Sequence, residues 1–154
     1  VVDEIGANSK MNEFQAAMGL CNLRHVDGEI NKRTAVAERY RERLGNVPGI
    51  SLIAEQPGVR QNYAYFPAVF EPEVFGSSRD EIYEALKKEE IYTRKYFYPT
   101  TNAFDCYREH YCPEDTPVAL EISKKVLTLP IYADLAIADV DRICDAILRL
   151  RGQA

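Results

Sequence analysis

Two consecutive helical patterns occupy the first third of the chain, and they constrain its fold more than any other feature. From residue 13 to about 26, apolar residues recur at helical spacing, and Asn12 with Gln15 forms a variant of the capping box at the start. A second stripe runs over 28–44 and ends at Gly45, a typical C-cap residue. The apolar arc of the first helix is wide, so we expect its burial on more than one side.

The middle of the chain has the pattern of a small sheet. The predicted strands are residues 50–54, 62–71 and 91–96. Between the last two, Ser78 and Glu81 form a capping box that begins a helix over 79–89. Pro67 lies inside the second strand, and a proline is expected at a sheet edge or bulge. Short links between strands favour antiparallel pairing, so we predict an α+β fold with a small, mostly antiparallel sheet flanked by helices.

The remainder of the chain is predicted to be mainly helical. Short helices are expected over 102–110 and 117–126, and a last helix over 137–150. An extended apolar run, 127–132, separates the last two helices and is interrupted by Pro130. We find no repeat and no linker, and 154 residues are enough for one compact domain.

Composition narrows the classes of partner. The formal net charge is −5 and no face is obviously basic, which argues against binding to nucleic acid. No stretch approaches the roughly 20 apolar residues of a membrane span, and we expect no secretory leader. The four cysteines include no CxxC pair. We therefore expect a cytoplasmic protein with no membrane contact and reduced thiols.

Familiar single-chain motifs of catalysis and metal binding are missing. The chain has no glycine-rich phosphate loop, no GxSxG and no HExxH. Cys106, His110 and Cys112 could form part of a zinc site, but no fourth ligand stands at a recognisable spacing. We expect no metal site.

Two segments have a composition that suits anionic ligands. Residues 6–13 place a glycine, amide side chains and Lys10 just before a helix N-terminus, where backbone N–H groups favour phosphate; a plain capped turn is the alternative. Residues 92–99 interleave Arg94 and Lys95 with four aromatic residues. Such a set can stack on a base and pair with a diphosphate, although tyrosines at a strand end are also common at core edges.

Taken in order, these segments resemble one enzyme family. The pattern Gly6-x-Asn8-x-Lys10-Met11-x-Glu13-x-x-Ala16-Ala17-x-Gly19 is similar to a signature of the DegT/DnrJ/EryC1/StrS sugar aminotransferases. The segments 94–99 and 129–135, with Tyr107 between them, follow at the family's spacing. The resemblance covers essentially the whole chain.

The resemblance implies the C-terminal domain of a fold-type-I enzyme that uses pyridoxal phosphate (PLP) and works as a homodimer. Residues 1–154 would be the small C-terminal domain, within which 1–46 would contact a preceding large domain or the partner subunit. The large domain would carry the lysine that forms the Schiff base with PLP. The chain would then contain no catalytic residue and be inactive alone, without covalently bound cofactor.

The same resemblance assigns the binding residues. Asn8 would reach the PLP phosphate across the dimer interface, and Lys10 would hold that loop or the substrate phosphates. Arg94, Tyr96 and Tyr98 would line the substrate pocket. Many members have a histidine where this chain has Thr101.

The implied reaction transfers an amino group, with glutamate as the expected donor, to a keto-sugar on a nucleotide carrier, as in polysaccharide biosynthesis. The alternative is a non-catalytic α+β module for dimerisation or ligand sensing.

Overall fold

The chain folds around a three-stranded antiparallel sheet in a computed structural model that describes residues 10–107 and 109–152. The strands β1 (Ile50–Leu52), β2 (Phe66–Phe70) and β3 (Val126–Leu129) lie in the order β1-β2-β3. The helices are α1 (Glu13–Leu23), α2 (Val26–Leu44), α3 (Pro72–Phe75), α4 (Arg79–Lys88), α5 (Pro117–Lys125) and α6 (Ile137–Leu148). This architecture confirms the predicted α+β class.

Three helices, α2, α4 and α6, supply the core on one face of the sheet. Their buried side chains include Tyr40, Leu44, Ile82, Leu86, Val140, Ile143 and Ile147, which pack against Phe66, Ala68, Phe70, Leu127 and Leu129 of the strands. Ser78 caps α4 in a complete capping box, as predicted, because its side chain accepts from the Glu81 N–H while Glu81 bonds back to the Ser78 N–H. Helix α5, which is not one of these three helices, also contacts β2.

The third strand of the sheet is not the one predicted. The expectation of a strand over 91–96 is wrong, because this segment pairs through a single bridge, Arg94 to Thr128, and turns away with the Tyr98 N–H bonded to the Lys95 carbonyl. The paired strand is β3, part of the run predicted only as extended. The predicted helix over 102–110 is also wrong, since the described residues of this range form a short 3-10 turn, Thr101–Ala103, followed by non-helical turns.

Pro67 lies in the central strand, contrary to the edge position expected for proline. It stands opposite Thr128 in the β2–β3 register. The Thr128 N–H and carbonyl both bond to Arg94, on the side away from Pro67. Pro67 and Thr128 therefore form a non-hydrogen-bonded pair of the antiparallel ladder. Because this pair requires no N–H from Pro67, the proline does not weaken the pairing of β2 with β3.

Helix α1 begins where the sequence predicts but packs differently from the expectation of broad burial. Asn12 and Gln15 form both hydrogen bonds of a capping box. None of the residues of α1 is buried, and Phe14 is 85% exposed. Met18, Leu20 and Leu23 are also exposed, so the helix presents a continuous apolar surface outward.

Tyr40 supplies a test of the core. Its hydroxyl donates to the Pro130 carbonyl at 3.0 Å, and its ring stacks on Phe66 at 5.0 Å. Burial raises the pKa of this phenol. Replacing Tyr40 by Phe removes the donor and should lower the free energy of unfolding by about 1 kcal/mol, because the Pro130 carbonyl loses its partner.

Denaturant unfolding measures this loss, with Tyr92→Phe as the control. Tyr92 is 72% exposed, so its variant should stay within about 0.5 kcal/mol of the parent. Equal stability of the Tyr40 and Tyr92 variants would contradict a stabilising Tyr40 hydrogen bond.

Candidate functional site

The bridge between Arg94 and Thr128 positions the start of the aromatic segment 92–99 against the sheet. Arg94 and Thr128 exchange both backbone hydrogen bonds, at 3.1 and 2.8 Å. Thr93 is then buried while Arg94 is exposed. Because burial alternates along this segment, the Arg94 side chain points away from the core and lies beside the Tyr96 ring.

Arg94 and Tyr96 form a cation–aromatic pair. The Arg94 guanidinium carbon lies 5.3 Å from the centroid of the Tyr96 ring, and Arg94 Nη1 donates a short hydrogen bond to the Tyr96 hydroxyl. That hydrogen bond raises the pKa of Arg94. No carboxylate of the described residues pairs with Arg94, so its charge stays available to an anionic ligand.

Three rings, Tyr65, Tyr96 and Phe97, form a cluster beside this cation. Tyr96 and Phe97 stack at 4.8 Å with an interplanar angle of 9°. Tyr65 meets both edge-on, at 5.5 Å from Tyr96 and 6.2 Å from Phe97. Phe97 is 68% exposed, and exposed ring surface of this kind is typical of a binding site.

Two grooves meet at Tyr96. The first, which we call the cationic groove, has a volume of about 530 Å³ and contains Thr93, Arg94, Lys95, Tyr96, Tyr98 and Phe104 in its lining. The second, the aromatic groove, has about 760 Å³ and runs from Phe97 along Tyr107, Tyr111 and Ile122. Tyr96 also lines a third cavity of about 370 Å³ with Arg94 and Tyr65. A ligand at Tyr96 could therefore extend into more than one groove.

Thr93 is a polar group in the cationic groove without a partner. The residue is 7% exposed, and its Oγ1 is buried with no hydrogen bond. A buried hydroxyl left unpaired is costly, and such atoms are usually satisfied by water or by a ligand. Thr93 thus fits a groove that receives a polar molecule.

Lys95 is not available to a ligand in the same way. Its Nζ lies 2.5 Å from Asp80 Oδ1 and 4.5 Å from the centroid of the Tyr83 ring. The hydrogen bond from Lys95 is the main reason that the pKa of Asp80 falls below its usual value. Of the two neighbouring cations, Arg94 remains open and Lys95 is neutralised.

The structure brings together three of the five predicted site residues. Arg94, Tyr96 and Tyr98 line the cationic groove. Lys10 is exposed ahead of α1 and does not line this groove. Asn8 lies outside the described residues.

Sequence reasoning missed Tyr65 and Thr93. Tyr65 stands just before β2 and reaches the cluster only through the β2–β3 pairing and the Arg94 bridge. The alternating pattern of 91–94 could have indicated that Thr93 points inward, but not that its hydroxyl is unpaired.

No metal centre forms among residues 10–107 and 109–152, where no three His, Cys, Asp or Glu side chains are grouped to hold an ion. Cys112 instead donates from its Sγ to Glu114 at 2.6 Å, which raises the pKa of the thiol. In the same described ranges, no helix is both long enough and apolar enough to span a bilayer.

Comparison with known sequences gives one family. The sequence profile of the DegT/DnrJ/EryC1/StrS aminotransferase family matches residues 1–148. A dTDP-4-amino-4,6-dideoxy-D-glucose transaminase of Escherichia coli is 42% identical over 132 residues, which are 84% of this chain and 35% of that protein. One of Shigella dysenteriae is 35% identical over 150 residues, 97% of this chain and 41% of that protein. The chain thus spans well under half the length of these relatives.

Solved structures have the same fold. DesI, crystallised in the presence of its TDP-sugar product, aligns with a TM-score of 0.85 and 29% identity over 96% of this chain and 38% of that chain. A DegT DnrJ EryC1 StrS aminotransferase from Brucella abortus aligns with a TM-score of 0.79 and 28% identity over 97% of this chain and 38% of that one.

Proposed function

Because the chain belongs to the DegT/DnrJ/EryC1/StrS aminotransferase family, we propose that it is the C-terminal portion of a PLP-dependent transaminase. The intact enzyme transfers an amino group from a donor, glutamate, to a keto-sugar carried on a nucleotide. We further propose thymidine diphosphate as the carrier, since the E. coli and Shigella dysenteriae relatives are named for dTDP-sugars and DesI was crystallised with a TDP-sugar. The reaction belongs to nucleotide-sugar and polysaccharide biosynthesis.

One observation carries this proposal: the open cation of Arg94 lies beside stacked rings and a buried, unpaired hydroxyl in one groove. A guanidinium can pair with phosphate oxygens through two parallel hydrogen bonds. Stacked aromatic faces can hold a base or the apolar face of a sugar. The Thr93 hydroxyl can bond a hydroxyl or phosphate oxygen that enters the groove. Together these groups match a ligand with a diphosphate, rings and hydroxyls.

The cofactor is held mainly by other parts of the intact protein. PLP, when bound, supplies the electron sink for moving the amino group. We propose that Asn8 bonds the cofactor phosphate from across a subunit interface and that Lys10 fixes the same loop or a substrate phosphate. Lys95, the one lysine among the described groove-lining residues, is paired with Asp80 and does not fit the role of the cofactor-linked lysine.

The outward apolar surface of α1 supports a domain assignment. We propose that residues 1–154 are the small domain of the enzyme and that 1–46 contacts the large domain or the second subunit of a homodimer. Phe14, Met18 and Leu23 are each more than 60% exposed, and covering them removes apolar surface from water. We place the enzyme in the cytoplasm, where its exposed cysteines stay reduced.

Replacing Arg94 by Met in the full-length protein tests the proposal. The dissociation constant of thymidine diphosphate should rise about tenfold to hundredfold, because charge-assisted hydrogen bonds to phosphate are lost. The affinity of the parent should also fall with added salt more steeply than that of the variant. Isothermal titration measures both effects.

Arg142→Met is the matched control. Arg142 is an exposed arginine of α6 that bonds the Glu89 carbonyl at 3.2 Å and lines neither groove. Its variant should bind like the parent. Unchanged affinity in the Arg94 variant would remove the diphosphate site from this groove.

A further inference from the structure

Arg79 is the only charged side chain among the described residues that is buried. It is the first residue of α4 and is 3% exposed. A buried charge is stable only where hydrogen bonds and opposite charge compensate the lost water. The hydrogen bonds and ring contact that compensate the Arg79 guanidinium therefore identify the parts of the structure that this side chain connects.

Those groups belong to two different parts of the site. Arg79 Nη1 donates to the Ser123 and Val126 carbonyls, both at 3.1 Å, where α5 ends and β3 begins. A cation at this position also suits the negative end of the α5 dipole. On its other side, the guanidinium carbon lies 5.0 Å from the centroid of the Tyr98 ring. Arg79 thus joins the α5–β3 junction to the substrate-binding segment.

Asp80 makes a second link to the same segment. Its Oδ1 lies 2.5 Å from Lys95 Nζ. The same oxygen lies 2.8 Å from Arg79 Nε, but the angles of this second contact are not those of a hydrogen bond. The Lys95 hydrogen bond lowers the pKa of Asp80, so the carboxylate is ionised at neutral pH. The Lys95 ammonium in turn lies over the Tyr83 ring of α4.

These contacts fix the segment on both sides of Tyr96. Lys95 is tied to Asp80 and Tyr98 packs on Arg79, while Arg94 and Tyr96 remain open to the grooves. Neither Arg79 nor Asp80 lines the cationic or the aromatic groove.

We propose that Arg79 and Asp80 are positioning residues, which set the substrate-binding segment 94–98 in the geometry that receives the nucleotide sugar. Arg79 acts through Tyr98 and Asp80 acts through Lys95. This proposal rests on the proposed function. It adds that substrate affinity depends on two residues of the first turn of α4, Arg79 and Asp80, that line neither groove.

Arg79→Lys in the full-length enzyme is the test. Lysine keeps the charge but lacks the planar fork that bonds two carbonyls and stacks on a ring. Thymidine diphosphate should bind at least tenfold more weakly, and the KM for the nucleotide sugar should rise in parallel. The half-reaction in which glutamate passes its amino group to PLP should stay within twofold of the parent, because glutamate has no nucleotide diphosphate for the segment to bind. Arg142→Lys should change neither quantity.

A double-mutant comparison with Tyr98 distinguishes a positioning role of Arg79 from a general effect on the stability of the protein. In a Tyr98→Leu background, Arg79→Lys should cause little further loss of affinity. An equal loss with and without the Tyr98 ring, or an equal slowing of both half-reactions, would overturn the proposal.

If Arg79→Lys does not fold, Asp80→Asn replaces it: the exposed Asp80 carboxylate can be neutralised with little change in shape. That variant should weaken thymidine diphosphate binding severalfold, and parent-like binding would reject the proposal.

The Arg94→Met titration distinguishes failure of the positioning role from failure of the diphosphate site. If Arg94→Met weakens binding and Arg79→Lys does not, only the positioning role fails. If neither variant differs from the parent, the diphosphate site does not lie in this groove and the positioning role fails with it.

Discussion

The 154-residue chain produced alone should form no covalent adduct with PLP and should show no transaminase turnover. A lysine that condenses with a carbonyl cofactor is activated by burial or by a neighbouring cation, both of which lower its pKa. Here Lys32 and Lys125 have raised pKa values, because carboxylates hydrogen-bond to them. Lys95 is paired with Asp80, and the remaining lysines are exposed. No lysine of the chain has the required environment.

Borohydride reduction followed by peptide mass analysis checks this result. The full-length protein is the positive control, and it should be labelled at one lysine outside this chain. A stoichiometric adduct at a single lysine of the isolated chain would show that the chain carries its own cofactor site.

Replacing Asn8 by Ala in the full-length enzyme should weaken PLP binding about tenfold to hundredfold. The loss corresponds to a hydrogen bond to a charged phosphate, roughly 1.5–3 kcal/mol. The apo-protein should keep its stability within about 0.5 kcal/mol, because Asn8 stands in a glycine-containing stretch ahead of the Asn12 cap. PLP titration and thermal unfolding without cofactor measure the two quantities.

Asn46→Ala is the control for this change. Asn46 is an exposed residue in the turn between α2 and β1, so its variant should match the parent in both measurements. Unchanged PLP affinity together with a large loss of apo-protein stability at Asn8 would make it a structural turn residue instead.

Local signals in the sequence predicted α1, α2, α4, α5 and α6, but they missed α3 and wrongly predicted a helix over 102–110. The capping boxes at Asn12 and Ser78 give the starts of α1 and α4, since a cap depends on residues only three positions apart. The 91–96 prediction failed for the opposite reason. Alternating burial at 91–94 indicates which side chains face inward, but a strand also needs a paired partner along its length, and this segment pairs with β3 only at the Arg94–Thr128 bridge.

The residues of the candidate site also include some that local sequence predicted and some that it did not. Arg94, Tyr96 and Tyr98 are close in sequence, so the spacing of cations and rings was enough to single them out. Tyr65 and Arg79 join them only through the sheet register and the α4–α5 contact. No local pattern encodes those long-range contacts.

The mass spectrum of the product formed by the full-length protein tests the central claim most directly. The reactants are isotopically labelled glutamate and a dTDP-linked 4-keto-6-deoxyglucose, the ketone that corresponds to the amino sugar in the names of the E. coli and Shigella dysenteriae relatives. We expect a dTDP-amino sugar that carries the label, and much less of it from the Arg94→Met variant. A protein that binds PLP yet aminates no nucleotide-linked keto-sugar would contradict the account and favour a ligand-sensing or dimerisation module.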